Sequence, residues 1–123
     1  MLAAGLGLLW PRPEPRPTHA VAVPSPQGRV LVEVLNGSRR QGAARTATRM
    51  LRRQGLDVVF LGNADSLADS TRVIVRRGDP NKARYVAQAL GAGKVVVETD
   101  TLRRVDVSVI LGDDFRPRLS LHP

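Results

Sequence analysis

Apolar residues recur along the chain in two kinds of pattern, short β-branched runs and longer stretches with a helical period. Short runs rich in Val, Ile and Leu predict strands, and an apolar stripe that returns every three to four residues predicts an amphipathic helix. The predicted strands are 29–35, 56–62, 71–77, 94–98 and 105–111, and the predicted helices are 40–55 and 80–91. From residue 29 onward, the chain therefore has the pattern of a folded protein.

The order of these elements, β-α-β-β-α-β-β, predicts the fold class. Strand–helix–strand units cross over with right-handed connections, which places both helices on the same face of a mixed sheet. Val73 and Val75 alternate with Arg72, Ile74 and Arg76, so one face of that strand is wetter. We therefore expect an α/β fold of the α+β two-layer sandwich type, with about five strands and one open face. The segment TDTLRR (99–104) is expected to be a short hairpin-type connection.

Local signals mark the ends of the helices. Asp79 suits the N-cap of the second helix because its carboxylate can accept backbone N–H groups, and Pro80 suits the first helical position. In the first helix, Ser38 is expected to cap the free N–H groups after a turn in which Asn36 and Gly37 tolerate positive φ. The residues assigned to structural turns and caps are Gly37, Gly42, Gly78, Asp79 and Pro80.

Composition narrows the class of protein. The 123 residues suffice for one domain, and a hydrophobic fraction of 42% is that of a globular chain. The absence of Cys excludes disulfides and thiolate chemistry, and His19 and His122 lie near opposite ends without acidic neighbours, so we expect no metal and no cofactor. The net charge is +8, which favours an anionic partner or reflects an arginine-rich composition.

The N-terminal part divides into two segments before the folded domain. Residues 1–10 carry no charge and end in Trp10, and they are about half the length of the roughly 20-residue span that a membrane helix needs. They are interpreted as a truncated membrane anchor, with a short interfacial anchor or an apolar tail as alternatives. Residues 11–28 are proline-rich and are predicted to be an extended linker, followed by a domain at 29–116 and a tail at 117–123.

The spacing of Gly37 and Gly42 matches the two glycines of a phosphate-binding P-loop. That loop also needs a Lys and a Ser or Thr after the second glycine, and Ala43 and Ala44 stand there instead, so nucleotide binding is rejected. Two interpretations remain: a turn that needs these residues for geometry alone, or an anion site at the helix start. The second interpretation makes Asn36, Ser38, Arg39 and Arg40 candidate binding residues.

The first predicted helix contains no acidic residue and several arginines. Arg45, Arg49 and Arg52 form one stripe and are further candidate binding residues, either as a solvated face or as a docking surface for an acidic polymer or protein. An interface for nucleic acid would also require aromatic side chains that stack on bases, and no aromatic residue lies among these arginines.

No set of residues with catalytic spacing stands out, and the protein is predicted not to be an enzyme. Asp113 and Asp114 follow the last strand and are most simply part of a turn. A weaker alternative is an enzyme whose site would involve Asn36, Ser38, Asp79 and Asp113.

The motifs, taken in order, resemble the LytR C-terminal domain. They are VEVLNGSRRQGAARTATRMLRRQGLDVVFLGNA, TRVIVRRGDPNKARYVAQALG, KVVVETD and VDVSVILGDDF, and they cover roughly residues 30–115. The NADSLADS loop departs from the family in lacking the aromatics often found there. Members stand after LytR–CpsA–Psr phosphotransferase domains, or alone behind a membrane helix and a linker.

This resemblance implies a membrane-tethered, extracytoplasmic domain connected with cell-envelope assembly, and it implies no catalytic residues. We therefore expect a non-catalytic binding or scaffolding module whose partner is an anionic envelope polymer or a LytR–CpsA–Psr-type envelope protein. The alternative is a basic nucleic-acid-binding domain in the cytoplasm, which the charge alone would favour.

Overall fold

The computed structural model describes residues 29–117. The predicted anchor at 1–10, the predicted linker at 11–28 and all of the predicted tail beyond Pro117 lie outside the described residues. The account of the fold that follows concerns the described range.

Five strands and two helices make up this range, in the predicted order. They are β1 (Leu31–Asn36), α1 (Ala43–Arg53), β2 (Asp57–Asn63), β3 (Arg72–Val75), α2 (Pro80–Leu90), β4 (Lys94–Val97) and β5 (Val107–Leu111). Both helices pack on one face of a single mixed sheet, and they contact each other as well as the strands. The predicted α+β two-layer sandwich is confirmed.

The sheet has the spatial order β2-β1-β5-β3-β4. Pairing is parallel except between β3 and β5, which run antiparallel. The last strand of the described range therefore lies in the centre of the sheet, where Val107, Ser108 and Val109 have no exposed surface. Strands β2 and β4 form the two edges among the described residues.

The predicted hairpin at 99–104 is wrong, because β4 and β5 are not neighbours in the sheet. The connection instead crosses the end of β3, where the Arg76 N–H donates to the Asp106 carbonyl at 2.8 Å and the Asp100 N–H donates to the Arg76 carbonyl at 3.1 Å. A hairpin would have left β5 next to the sheet edge. Its apolar side chains are instead buried by inserting the strand between β1 and β3.

The core lies between the sheet and the helices. Alternate strand residues such as Val32, Val34 and Val73 point into it and are fully buried. Helix α1 contributes Ala47 and Leu51, which are also fully buried. Burying a Val or Leu side chain stabilises a fold by roughly 1.5–3 kcal/mol, so this aliphatic layer supplies most of the core stability. Phe115 is the one fully buried aromatic side chain among residues 29–117.

The two helices begin differently. In α2 the Asp79 carboxylate accepts the Asn81 N–H at 2.9 Å, and Pro80 occupies the first turn. In α1 the N-cap is Gly42, whose φ of 82° lies in the left-handed region and interrupts the helical path just before Ala43, with no side-chain cap. The expectation that Ser38 caps α1 is therefore wrong, because the helix starts further along the chain than predicted.

Neither helix between residues 29 and 117 has the length and apolar character needed to cross a bilayer.

Candidate functional site

The turn between β1 and α1 is closed by its own side chains. The Asn36 Oδ1 accepts the Ser38 N–H at 2.9 Å and the Ser38 hydroxyl at 2.6 Å, while Asn36 Nδ2 donates to the Arg40 carbonyl at 2.9 Å. The Ser38 hydroxyl oxygen also accepts the Arg40 N–H at 3.2 Å. These polar atoms satisfy one another, as in an Asx turn, and the turn geometry accounts for both residues.

Gly37 is required by a close approach of two segments of the backbone, and its φ is not positive. A Cβ at this position would lie 2.9 Å from the Leu111 carbonyl oxygen and 3.3 Å from Ala68 Cβ. The Gly37 N–H donates to that same carbonyl at 2.8 Å. The glycine therefore lets the β1–α1 turn sit directly against the end of β5.

The candidate residues Arg39 and Arg40 are engaged in holding this end of the domain together. The Asp113 carboxylate accepts the Arg39 N–H at 2.8 Å and forms an ion pair with the Arg39 guanidinium. Arg40 Nη1 donates to the Phe115 carbonyl at 2.7 Å. Both arginines tie the turn to the segment after β5, so they have a structural role that does not require a ligand.

A shallow pocket of about 160 Å³ lies beside this turn. It is lined by Asn36, Gly42, Ala44, Arg45, Leu61, Gly62 and Asn63. Arg45 provides its only charged side chain among these residues. The pocket is small, and Arg45, which lines it, also belongs to the exposed surface of α1.

The arginines of α1 form an exposed surface that we call the α1 arginine face, defined as Arg45, Arg49, Arg52 and Arg53. All four are exposed. Arg52 donates from Nη2 to the Val58 carbonyl at 2.8 Å. The side chains of Arg45, Arg49 and Arg53 make no hydrogen bond or ion pair with any residue between 29 and 117. The stripe predicted from spacing is thus present, and Arg53 adds to it.

Most other arginines of the described range have acidic partners. The ion pairs of arginines are Arg29–Asp57, Arg39–Asp113, Arg72–Glu98, Arg76–Glu98, Arg77–Asp106, Arg103–Glu33 and Arg103–Asp100. Helix α1 contains no acidic residue that could serve its arginines in this way. Among residues 29–117, α1 therefore carries the largest group of cations without acidic partners on any one element, and the others, Arg40, Arg84, Lys94, Arg104 and Arg116, lie singly elsewhere.

The residues of the alternative enzyme site do not converge. Asn36, Ser38 and Asp113 lie at the end of the sheet where β1 and β5 finish, whereas Asp79 starts α2 at the other end, just after β3. Asp114 accepts the N–H and the hydroxyl of Thr71, at 2.9 and 2.7 Å. Within 29–117, no three His, Asp or Glu side chains cluster in a way that could hold a metal ion.

The opposite face of the sheet carries a larger cavity that the sequence did not predict. This open-face cavity has a volume of about 420 Å³ and lies between the loop 64–70 and the connection 98–106. Its lining includes the side chains Glu33, Leu35, Phe60, Asp65, Leu67, Arg72, Arg76, Arg103 and Ile110. The predicted open face is therefore partly covered, and the cover leaves a cavity that is open to solvent.

A buried polar cluster forms one wall of this cavity. The Glu33 carboxylate accepts hydrogen bonds from the Ser108 hydroxyl and from Arg103 Nη1, each at 2.5 Å. Arg76 Nε donates to the Ser108 oxygen at 2.9 Å, and Arg76 Nη1 donates to the Glu98 carbonyl at 3.1 Å. The alternation of Arg72 and Arg76 with Val73 and Val75 was the available signal, but it indicated only a wetter face and not a cavity.

Comparisons with known proteins bear on the fold and the family. One similar solved structure is the soluble domain of a conserved hypothetical secreted protein, an Rv2700 orthologue from Mycobacterium marinum. It is 24% identical with a TM-score of 0.57, and the match covers 77% of this chain and 66% of that one. The solution structure of the C-terminal domain of RV0431 is 26% identical over 89% of this chain and 92% of that one, with a TM-score of 0.41. No curated protein matches the sequence.

The sequence also matches a protein family over nearly all of the folded part. The family is described as "LytR cell envelope-related transcriptional attenuator", and the match runs over residues 29–115. It spans the β1–α1 turn, the α1 arginine face and the open-face cavity, and it confirms the resemblance drawn from the motifs. The chain belongs to the LytR C-terminal family, a cell-envelope-related family.

Proposed function

We propose that the chain is a non-catalytic binding domain that acts outside the cytoplasm and uses the α1 arginine face to dock on an anionic partner of the cell envelope. The partner is an anionic envelope polymer or a LytR–CpsA–Psr-type envelope protein. Residues 1–10 hold the domain at the membrane, and the proline-rich residues 11–28 act as an extended spacer between the membrane and the domain. The observation that carries the proposal is that four arginines without acidic partners among residues 29–117 lie together on one helix, whereas the other unpaired cations lie singly on other parts of the fold.

The electrostatics of α1 support a role beyond folding. Arg45 stands in the first turn of the helix, where a cation opposes the helix dipole, so the dipole does not explain it. Arg45 with Arg49, and Arg49 with Arg53, are like-charge neighbours at i and i+4, which destabilise an isolated helix by a few tenths of a kcal/mol each. A surface that costs stability in this way is better explained by binding.

The geometry of the face suits an extended polyanion. At about 1.5 Å of rise per residue, Arg45 and Arg49 are separated by about 6 Å along the helix axis. Each guanidinium presents several donors in a planar fork that matches carboxylate or phosphate groups. The family to which the chain belongs is described as cell-envelope-related, which supports an envelope component as the source of those groups.

Binding of the full chain to defined polymers tests the proposal. The probes are insoluble peptidoglycan sacculi with and without attached teichoic acid, poly(glycerol phosphate), and a LytR–CpsA–Psr envelope phosphotransferase, assayed at low and high NaCl. A variant with Arg45, Arg49 and Arg53 replaced by Gln is expected to bind the true partner roughly 100-fold more weakly, since each cation near an anionic surface contributes about 1 kcal/mol.

The matched control is a variant with Lys94, Arg104 and Arg116 replaced by Gln. These residues are also exposed, make no ion pair with residues 29–117, and lie outside α1, so the loss of net charge is identical. The control should bind within about twofold of the unmodified chain if the location of the charge matters. Equal loss in both variants, or binding of none of the probes, contradicts docking through α1.

Binding to nucleic acid distinguishes the proposal from the alternative of a cytoplasmic nucleic-acid-binding domain. The family description also contains the words "transcriptional attenuator". Duplex DNA and single-stranded RNA are therefore tested at the same concentration of anionic groups as the envelope polymers. Tighter binding to either than to the envelope polymers contradicts the proposal. Cell fractionation gives a second, independent answer, because a chain recovered mainly in the soluble cytoplasmic fraction would also contradict it.

A further inference from the structure

The open-face cavity has the features of a small-molecule site, and it lies on the face of the sheet opposite α1. Its volume of about 420 Å³ falls within the range of roughly 300–1,000 Å³ seen for ligand pockets. Because it shares no residue with the α1 arginine face, a ligand here is independent of the envelope partner proposed above.

One wall of the cavity offers hydrogen-bond donors that are already held in place. Arg76 is only 8% exposed and is fixed by Ser108 and by the Glu98 carbonyl. Arg72 is fixed more weakly, through a 3.5 Å contact between its Nη1 and the Glu98 carboxylate. The Nη2 groups of both arginines make no hydrogen bond to residues 29–117, and neither is among the fully buried unpartnered atoms, so both reach solvent.

The charges that line the cavity favour a ligand with a single negative charge. Arg72, Arg76 and Arg103 face two carboxylates, Glu33 and Asp65. The Glu33 carboxylate is occupied by Ser108 and Arg103. The Glu98 carboxylate lies 3.5 Å from Arg72 Nη1 and 3.7 Å from Arg76 Nη1, so the Nη2 groups of these two arginines form the available cationic edge. With the Glu98 carboxylate counted, Arg72 and Arg76 leave one net positive charge at this edge, which a doubly charged group would exceed.

Apolar side chains line another part of the cavity, next to the polar residues Asn63, Asp65 and Ser66. Leu35 and Ile110 are half-buried on the sheet and form its floor, while Phe60 and Leu67, at 55% and 60% exposed, stand at its rim. Large side chains this exposed beside a concave site are what a ligand with an apolar body would cover. The apolar floor also strengthens an ion pair formed next to it, because the local dielectric is lower than in water.

We propose that the open-face cavity binds a monoanionic amphiphile of the carboxylate class. Its carboxylate accepts hydrogen bonds from Arg72 and Arg76, and its apolar body lies on Leu35, Ile110 and Phe60. The planar fork of a guanidinium matches a carboxylate in two-point contact, which a compact ammonium group would not provide.

Titration of the full chain with octanoate, followed by calorimetry and amide NMR shifts, tests this site. We expect saturable binding with shifts at Leu35, Ile110 and the loop 64–70, and at least about tenfold weaker binding of the neutral octanamide, since hydrogen bonds to charged groups are the stronger ones. Octyl phosphate, at a pH where it is a dianion, should bind less well than octanoate. Equal or tighter binding of octyl phosphate, or shifts confined to α1, overturns the assignment.

The Arg72→Met variant separates binding from folding. Arg72 is half-exposed and weakly paired, so its replacement should leave thermal unfolding nearly unchanged while lowering octanoate affinity at least about tenfold. The Arg104→Met variant, at an exposed arginine outside the cavity lining, is the control and should bind normally. Unaltered affinity in the Arg72 variant overturns the proposal.

The source of the carboxylate is settled by competition. Octanoate represents an acyl chain, and acetyl-Leu-Leu with a free carboxyl end represents an apolar peptide terminus. Displacement of one by the other at the same site supports the proposal, and the tighter of the two identifies the source. Failure of both to bind at millimolar concentration overturns it.

Discussion

The Arg103 guanidinium donates a 2.5 Å hydrogen bond to the Glu33 carboxylate and so joins two residues that lie 70 positions apart. The Glu33 side chain is 10% exposed and the Arg103 side chain 38%. Arg103 Nε lies 3.4 Å from the Asp100 carboxylate, without the alignment of a hydrogen bond. One side chain thus pins the connection 98–106 onto the open face of the sheet.

Replacing Arg103 by Met should lower the free energy of unfolding by about 1 to 2 kcal/mol. The Glu33 carboxylate would stay buried with Ser108 as its remaining donor, and this cost is discounted because Arg103 is more than a third exposed to screening water. Urea denaturation measures the change. The neighbouring Arg104→Met variant is the control and should lie within about 0.5 kcal/mol of the unmodified chain, since Arg104 has no partner among residues 29–117. Equal stabilities for the two variants would show that the Glu33 pair contributes nothing.

Replacing Gly112 by Ala should lower the stability of the domain more than replacing Gly42 by Ala, because the two glycines are required for different reasons. At Gly112 a Cβ would fall 2.4 Å from the backbone carbon of Ser70, so the chain itself must move, and we expect a loss of more than about 3 kcal/mol. At Gly42 nothing lies within 4 Å of the added Cβ, and only the φ of +82° is unfavourable, so the loss should be about 1–2 kcal/mol. Thermal unfolding of both variants tests the order. A smaller loss at Gly112 would contradict the close contact between the β5 end and the loop before β3.

Features with a local sequence signal were predictable from the sequence. The α1 arginine face needs only a helical period, because residues spaced by three and four lie on the same side of a helix whatever surrounds it. The Asp79-Pro80 helix start is similarly decided by neighbouring backbone groups. Strand identities followed from short β-branched runs for the same reason.

Features decided by distant residues were not predictable in this way. Asp106 and Ser108 alternate with valines, a pattern typical of a strand with one polar face, yet they are 7% and 0% exposed. Their partners are remote: Asp106 Oδ2 accepts the Leu31 N–H at 2.9 Å, and the Ser108 hydroxyl bonds Glu33. Long-range pairing with β1 and β3 also places β5 in the centre of the sheet. The open-face cavity likewise depends on residues that are distant in the sequence.

The adjacent carboxylates Asp113 and Asp114 should have unequal effects on stability. Replacing Asp114 by Ala removes the acceptor for both the N–H and the hydroxyl of Thr71, a residue that is 1% exposed, and should cost about 1–3 kcal/mol. Replacing Asp113 by Ala removes an ion pair with an arginine side chain that is 64% exposed, along with one backbone hydrogen bond, and should cost about 1 kcal/mol or less. Denaturant unfolding of both variants distinguishes them, and a larger loss for Asp113 would contradict these roles.

The hydroxyl of Thr48 is buried in α1 without a hydrogen-bond partner among residues 29–117, and the residue is 3% exposed. A buried polar group left unpaired costs free energy, so Thr48→Val, which keeps the side-chain shape, should stabilise the domain by about 1 kcal/mol. For a domain of this size the expected rise in Tm is roughly 4–8 °C. Thr46→Val, at a half-exposed position of the same helix, is the control and should change Tm little, because its hydroxyl can bond to water. A fall in Tm for the Thr48 variant would mean that the hydroxyl has a bonding partner in solution, the nearest candidate being a carbonyl of the preceding helical turn.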